Sequence, residues 1–122
     1  MANILVIDDM IGVRRAVSSM LKRAGHQVTE ADNGRSGLEM LGKQKFDLVV
    51  ADILMPELDG TEVMFHLAAQ SSRPKVIAMS GGGAGVSAEA ALRTARLKAD
   101  AFLEKPFEKA DLLGAIERLL PG

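Results

Sequence analysis

Short apolar runs alternate with helical patterns along the whole chain, and this alternation constrains the fold more than any other feature. Five runs have the length and composition of strands: residues 3–7, 27–31, 47–51, 75–79 and 101–103. The first, third and fourth are nearly continuous in apolar residues, the pattern of strands covered on both faces of a parallel sheet. The second is more mixed and suits an edge. Between them, Val13, Ala16, Val17, Met20 and Leu21 recur at spacings of three and four, and Gly25 ends that segment. Gly37, Leu38 and Leu41 mark a shorter helix stopping near Gly42, and Val63, Met64 and Leu67 mark a third. Residues 88–97, rich in Ala, Leu and Arg, read as a fourth; Leu112, Leu113, Ile116, Leu119 and Leu120 form the stripe of a last one, ended by Pro121-Gly122. The order βαβαβαβαβα predicts an α/β fold: a doubly wound, five-stranded parallel sheet with helices on both faces and right-handed crossovers.

At 122 residues the chain has the size of one domain, 1–122, and a second core of independent size does not fit. Apolar residues make up 48%, enough to close a core without disulfides. There is no cysteine, which excludes a disulfide framework and a thiolate metal site and fits a reducing, cytoplasmic setting. A net charge of −1 argues against a nucleic-acid footprint, and with four Phe and neither Tyr nor Trp there is little to stack on bases. No apolar run approaches the ~20 residues of a membrane span. The first residues enter a strand pattern at once, without a basic leader, so no secretory signal is expected. The one biased segment, Ser80-Gly-Gly-Gly-Ala-Gly85, reads as a mobile loop after the fourth strand.

In open α/β sheets, ligands bind outside the carboxyl ends of the strands. On this reading the first strand leads into Asp8-Asp9, the third into Asp52, the fourth into Ser80 and the fifth into Glu104-Lys105-Pro106. Each residue alone has an ordinary use: Asp9 as the cap of the next helix, Ser80 as a turn residue, Lys105 as a solvated charge. Their shared end makes those uses less economical. Carboxylates this close repel one another, so the cluster calls for a cation. Mg²⁺ suits oxygen ligands of this kind, and Lys105 adds positive charge without filling a coordination site. Such a rim matches phosphoryl transfer, where catalysis is mostly positioning and charge stabilisation. A carboxylate can itself be the nucleophile, and Asp52, at the end of a central strand, is the best placed.

These residues fall in four motifs: Ile4-Leu-Val-Ile-Asp-Asp9; Asp47-Leu-Val-Val-Ala-Asp52-Ile-Leu-Met-Pro56, followed by Asp59-Gly60; Val76-Ile-Ala-Met-Ser80-Gly81; and Phe102-Leu-Glu-Lys-Pro-Phe107. In this order and spacing the chain resembles the receiver domain of bacterial two-component response regulators, as in the single-domain chemotaxis regulators, over essentially its whole length. The resemblance implies a flavodoxin-like fold with strand order 2-1-3-4-5. It implies Asp52 as phosphoacceptor, Asp8 and Asp9 as acidic metal residues, the Leu54 carbonyl as a further Mg²⁺ ligand, Lys105 as the site lysine and Ser80 as the switch hydroxyl. It implies a histidine kinase or phosphotransfer protein as donor, and a protein target or attached output domain as receiver of the signal. The surface around the fourth and fifth strands and the fourth helix would change. Such a protein is not an enzyme beyond its own phosphorylation and dephosphorylation. The Lys105-Pro106 bond matches one usually cis in receivers.

Three positions depart from the family's habits. Leu54 and Gly82 flank the phosphorylation site without a polar side chain to orient water, and Phe102 lacks the hydroxyl of the Tyr often found there. Rival readings fit less well. A dinucleotide fold needs Gly-x-Gly-x-x-Gly after the first strand, where Asp8-Asp-Met-Ile-Gly12 stands. The later glycine run has no Lys-Ser/Thr of a phosphate-binding loop, and an aspartyl phosphatase typically adds an acid where Leu54 stands. A domain that has lost phosphorylation would not need every site position filled. Met20, Met40, Met64 and Met79 read as core filling, and His26 and His66 as surface or turn residues.

Overall fold

The computed structural model describes residues 2–52, 74–80, 99–104 and 107–120. Its elements are β1 (Asn3–Ile7), α1 (Ile11–Arg23), β2 (Gln27–Ala31), α2 (Gly34–Lys43), β3 (Leu48–Asp52), β4 (Lys75–Ser80), β5 (Ala101–Glu104) and α3 (Lys109–Leu119). The strands form one parallel sheet in the order β2-β1-β3-β4-β5, the expected flavodoxin-like arrangement. β2 lies at an edge, as its mixed composition predicts. The helical patterns at Val63, Met64 and Leu67 and at 88–97, the glycine run and His66 lie outside the described residues.

Strand residues alternate between two faces, so a continuous apolar run supplies two cores at once. Ile4, Val6, Leu48, Val50, Ile77 and Met79 face one way, covered by Val17 and Leu21 of α1 and Leu112, Ala115 and Ile116 of α3. Leu5, Ile7, Val49, Ala51, Val76 and Ala78 face the other, together with buried Phe46, against Leu38, Met40 and Leu41 of α2 and part-buried Phe102. Helices therefore cover both faces. Met79 is fully buried, and Met20 and Met40 pack on the cores, in keeping with their reading as filling.

Local chemistry sets the helix ends. Gly25, at φ 95°, closes α1: its N–H donates to the Lys22 carbonyl (3.0 Å) and that of His26 to Leu21 (3.1 Å), the paired bonds of a Schellman turn. Lys22 and Arg23 sit in the last turn, where positive charge complements the exposed carbonyls. Asn33 caps α2, its side chain accepting from the Ser36 N–H at 2.8 Å. Glu108 and Asp111 cap the start of α3 reciprocally. The second helix stops near Gly42 as expected: α2 ends at Lys43, with Gln44 extended beyond it. Gly42 keeps a helical backbone, and the chain leaves the helix as Phe46 turns into the core. His26 is part-buried, and its Nδ1 accepts from the Ala2 N–H at 3.2 Å, so it anchors the chain's start rather than only lying at the surface.

Two glycines of α2 have opposite surroundings. A Cβ at Gly37 would run into the Ile7 side chain, with Cγ1 at 3.0 Å; a Cβ at Gly42 would meet nothing within 4 Å. Alanine favours a helix over glycine by ~1 kcal/mol, while overpacking a core costs ~1–3 kcal/mol. Gly42→Ala is expected to stabilise the protein by several tenths of a kcal/mol and Gly37→Ala to destabilise it by about 1 kcal/mol. Urea unfolding midpoints at equal slope read both.

Candidate functional site

The register of the sheet assembles the site. Ile7 pairs with Ala51 in the parallel β1–β3 ladder, so the next residues, Asp8 and Asp52, emerge side by side at the carboxyl edge. Asp52 is itself the last residue of β3, and Ser80 and Glu104 are the paired last residues of β4 and β5; these strands each run one residue further than the apolar runs alone predict. One carboxylate oxygen from each of Asp8, Asp9 and Asp52 can be chosen so that all three lie within 4.8 Å of one another. Asp8 is fully buried and Asp52 4% exposed, whereas Asp9 is exposed. The sequence-predicted acids thus meet at one edge. Ser80 ends β4 at that edge; Leu54, Lys105, Pro106 and Gly82 lie outside the described residues.

Asp8 is held from several sides. Its N–H donates to the Ala31 carbonyl at the end of β2 (3.1 Å), and its Oδ1 accepts from the Met10 N–H (2.9 Å). Asp8 therefore turns back on the start of α1, whose cap position is Met10 with no side-chain cap bond. The capping use of Asp9 falls away, and its carboxylate points to another purpose. The donor set is all oxygen, with two buried carboxylates and one open to water, which fits a hard divalent cation that keeps part of its hydration. Burying two like charges together is costly unless a cation offsets them.

Sequence reading missed Arg14 and Glu30. Arg14, in the first turns of α1, donates through Nη1 to the Asp8 backbone carbonyl (2.9 Å) and through Nε to Glu30 of β2 (3.0 Å). The available signal was an arginine soon after the acidic pair and an acid in the edge strand, each unremarkable alone. Among the described residues no helix is long and apolar enough to cross a membrane.

Comparison with known proteins agrees with this geometry. The family model of the response regulator receiver domain matches residues 4–117, and the chain belongs to that family. The transcriptional regulatory protein FixJ of Bradyrhizobium diazoefficiens is 37% identical over 115 residues, covering 94% of this chain and 55% of FixJ. The response regulator receiver protein CpdR of Brucella abortus is 35% identical over 121 residues, covering 98% of each. Among solved structures, the receiver domain of a signal transduction histidine kinase from Syntrophus aciditrophicus superposes with a TM-score of 0.88 at 26% identity, over 98% of this chain and 90% of that one. The chain thus spans about half the length of FixJ and nearly all of CpdR. These two curated relatives are regulatory proteins rather than classical enzymes.

The crowding of carboxylates has a measurable consequence. Two charges under 5 Å apart near a surface repel by on the order of 1 kcal/mol or more. Asp9→Asn removes one charge without disturbing the bond from Met10 to Asp8. It is expected to raise the unfolding temperature in chelator by the equivalent of about 1 kcal/mol, with the advantage over wild type shrinking as Mg²⁺ is added. Thermal melts of both proteins with and without Mg²⁺ measure this.

Proposed function

We propose that this chain is a phosphorylation switch of a two-component system that accepts a phosphoryl group on Asp52. The observation carrying the proposal is the meeting of Asp8, Asp9 and Asp52 at the carboxyl edge, with Asp52 ending the central strand β3. Asp8 and Asp9, with Asp52 and the Leu54 carbonyl, would hold Mg²⁺, which when bound supplies the positive charge that offsets these acids and the incoming phosphoryl oxygens. An Asp52 oxygen attacks phosphorus while the phosphorus–nitrogen bond of a donor phosphohistidine breaks, its electron pair returning to the histidine nitrogen. Burial keeps Asp52 in one orientation for that attack. Ser80 and Lys105 bind the remaining phosphoryl oxygens. The donor is a histidine kinase, a phosphotransfer protein or a small phosphodonor. The new anion draws in the Ser80 hydroxyl and alters the surface around β4, β5 and the helical segment at 88–97, which a protein target or an attached output domain reads. Phe102, part-buried opposite Ala78, has no hydroxyl and would report a change there through its packing. The protein works in the cytoplasm, binds neither nucleic acid nor membrane directly, and catalyses only its own phosphorylation and dephosphorylation.

Incubation with a small phosphodonor and Mg²⁺ should add one phosphoryl group to wild type and none to Asp52→Asn, read by intact mass. Equal labelling of the variant would refute the assignment. The lifetime of the phosphoryl group depends on a water held in line with the phosphorus–oxygen bond, and orienting a reactant is worth several kcal/mol. Leu54 and Gly82 offer no polar side chain for this. The phosphorylated domain is therefore expected to decay slowly, and Leu54→Asn with Gly82→Glu to decay faster, followed by mass over time.

A further inference from the structure

The acid site has a support that the sequence motifs do not contain. Arg14 uses two edges of its guanidinium at once: Nε meets Glu30 Oε1 at 3.0 Å, and Nη1 meets the Asp8 carbonyl at 2.9 Å. The pair is part-buried, with the Arg14 side chain 14% exposed and that of Glu30 31%. Glu30 pairs with Val6 in the β1–β2 ladder, so it is anchored in the sheet just before Asp8. The carbonyl that Arg14 grips belongs to the Asp8–Asp9 peptide, the link between the two acids. The same turn is closed by the Met10 N–H on Asp8 Oδ1.

We propose that Arg14 is a positioning residue for the acid site: braced by Glu30, its guanidinium fixes the Asp8–Asp9 peptide and thereby the geometry in which both carboxylates meet a divalent cation. The proposal rests on the reading of that cluster as a Mg²⁺ site. A planar fork with donors in fixed directions can hold two acceptors on different elements; a lysine ammonium on a flexible stem holds such a pair poorly. Groups that orient metal ligands from behind typically change affinity 10–100-fold when removed.

Charge and positioning act here with opposite signs, which makes the proposal decidable. Removing a cation beside the site favours Mg²⁺ by Coulomb's law, whereas loosening the Asp8–Asp9 peptide disfavours it. Mg²⁺ titration of the whole chain, followed by amide NMR signals of Asp8 to Met10, is run on wild type, Arg14→Ala, Arg14→Lys and Glu30→Ala. Positioning predicts about tenfold weaker binding in Arg14→Ala, with weakening also in Arg14→Lys, which keeps the charge, and in Glu30→Ala, which keeps the arginine but removes its brace. Binding in Arg14→Ala as tight as wild type, or tighter, overturns the proposal; if that variant does not fold, undiminished binding in Arg14→Lys does so. Hydrogen exchange of the Met10 amide in metal-free buffer is the second readout. It should quicken in the Arg14 variants, and an unchanged rate overturns the clamp by itself. A wild type indifferent to Mg²⁺ would instead refute the metal reading, and the Met10 amide would still decide whether Arg14 holds the turn.

Discussion

The in-register parallel pairing of β1 with β3 is the constraint on which the rest of this molecule depends. Both strands are buried along nearly their whole length, and a one-residue shift would move every side chain into the core on the opposite face, among neighbours packed for a different set of shapes. With Ile7 locked against Ala51, the first polar residue past each apolar run appears at the same height. The acidic pair and Asp52 are therefore brought together by apolar packing that has no chemical interest in them. The repulsion among the carboxylates is tolerated because the cores on both faces of the sheet hold the strands in place.

Aspartates at the two edges of the sheet show how position decides use. At the amino edge, Asp47 Oδ2 accepts the Asn3 N–H and Asp100 Oδ2 accepts the Val76 N–H, each at 2.8 Å. There the carboxylates satisfy backbone donors at the starts of β1 and β4, and their role is structural. At the carboxyl edge the strand ends present carbonyls and side chains, and Asp8, Asp9 and Asp52 converge on one another. The same side chain is a strand cap at one edge and part of an acidic cluster that could hold a metal ion at the other.

Much of this was legible in the chain. Near-continuous apolar runs identified the central strands, and the mixed composition of residues 27–31 identified the edge strand, because burial on two faces and on one leaves different patterns. Helix α1 ended at its glycine because only a residue tolerant of φ 95° closes that turn readily. Other features were illegible for physical reasons. Gly42 marked only the neighbourhood of the end of α2, because the last residue, Lys43, is set by where the backbone turns extended at Gln44. The ends of β3, β4 and β5 extend into polar residues because strand pairing continues for as long as a neighbour supplies partners, whatever the side chain.

The sequence by itself determined the element order, the two-faced apolar strands and the identity of the acids at the strand ends, since these follow from local periodicity and from which residue comes next. Tertiary structure alone decided that Asp9 is not a cap, that Asp8 turns back on Met10, and that Arg14, paired with Glu30, holds the carbonyl of the peptide between the two acids. Those contacts join a strand end, a helix start and an edge strand, with Arg14 and Glu30 separated by 16 positions in the chain. No local pattern encodes such a meeting. It exists only once the sheet has set its register and α1 has packed its apolar stripe onto it, because directional bonds of about 3 Å form only between groups that packing has already brought within reach.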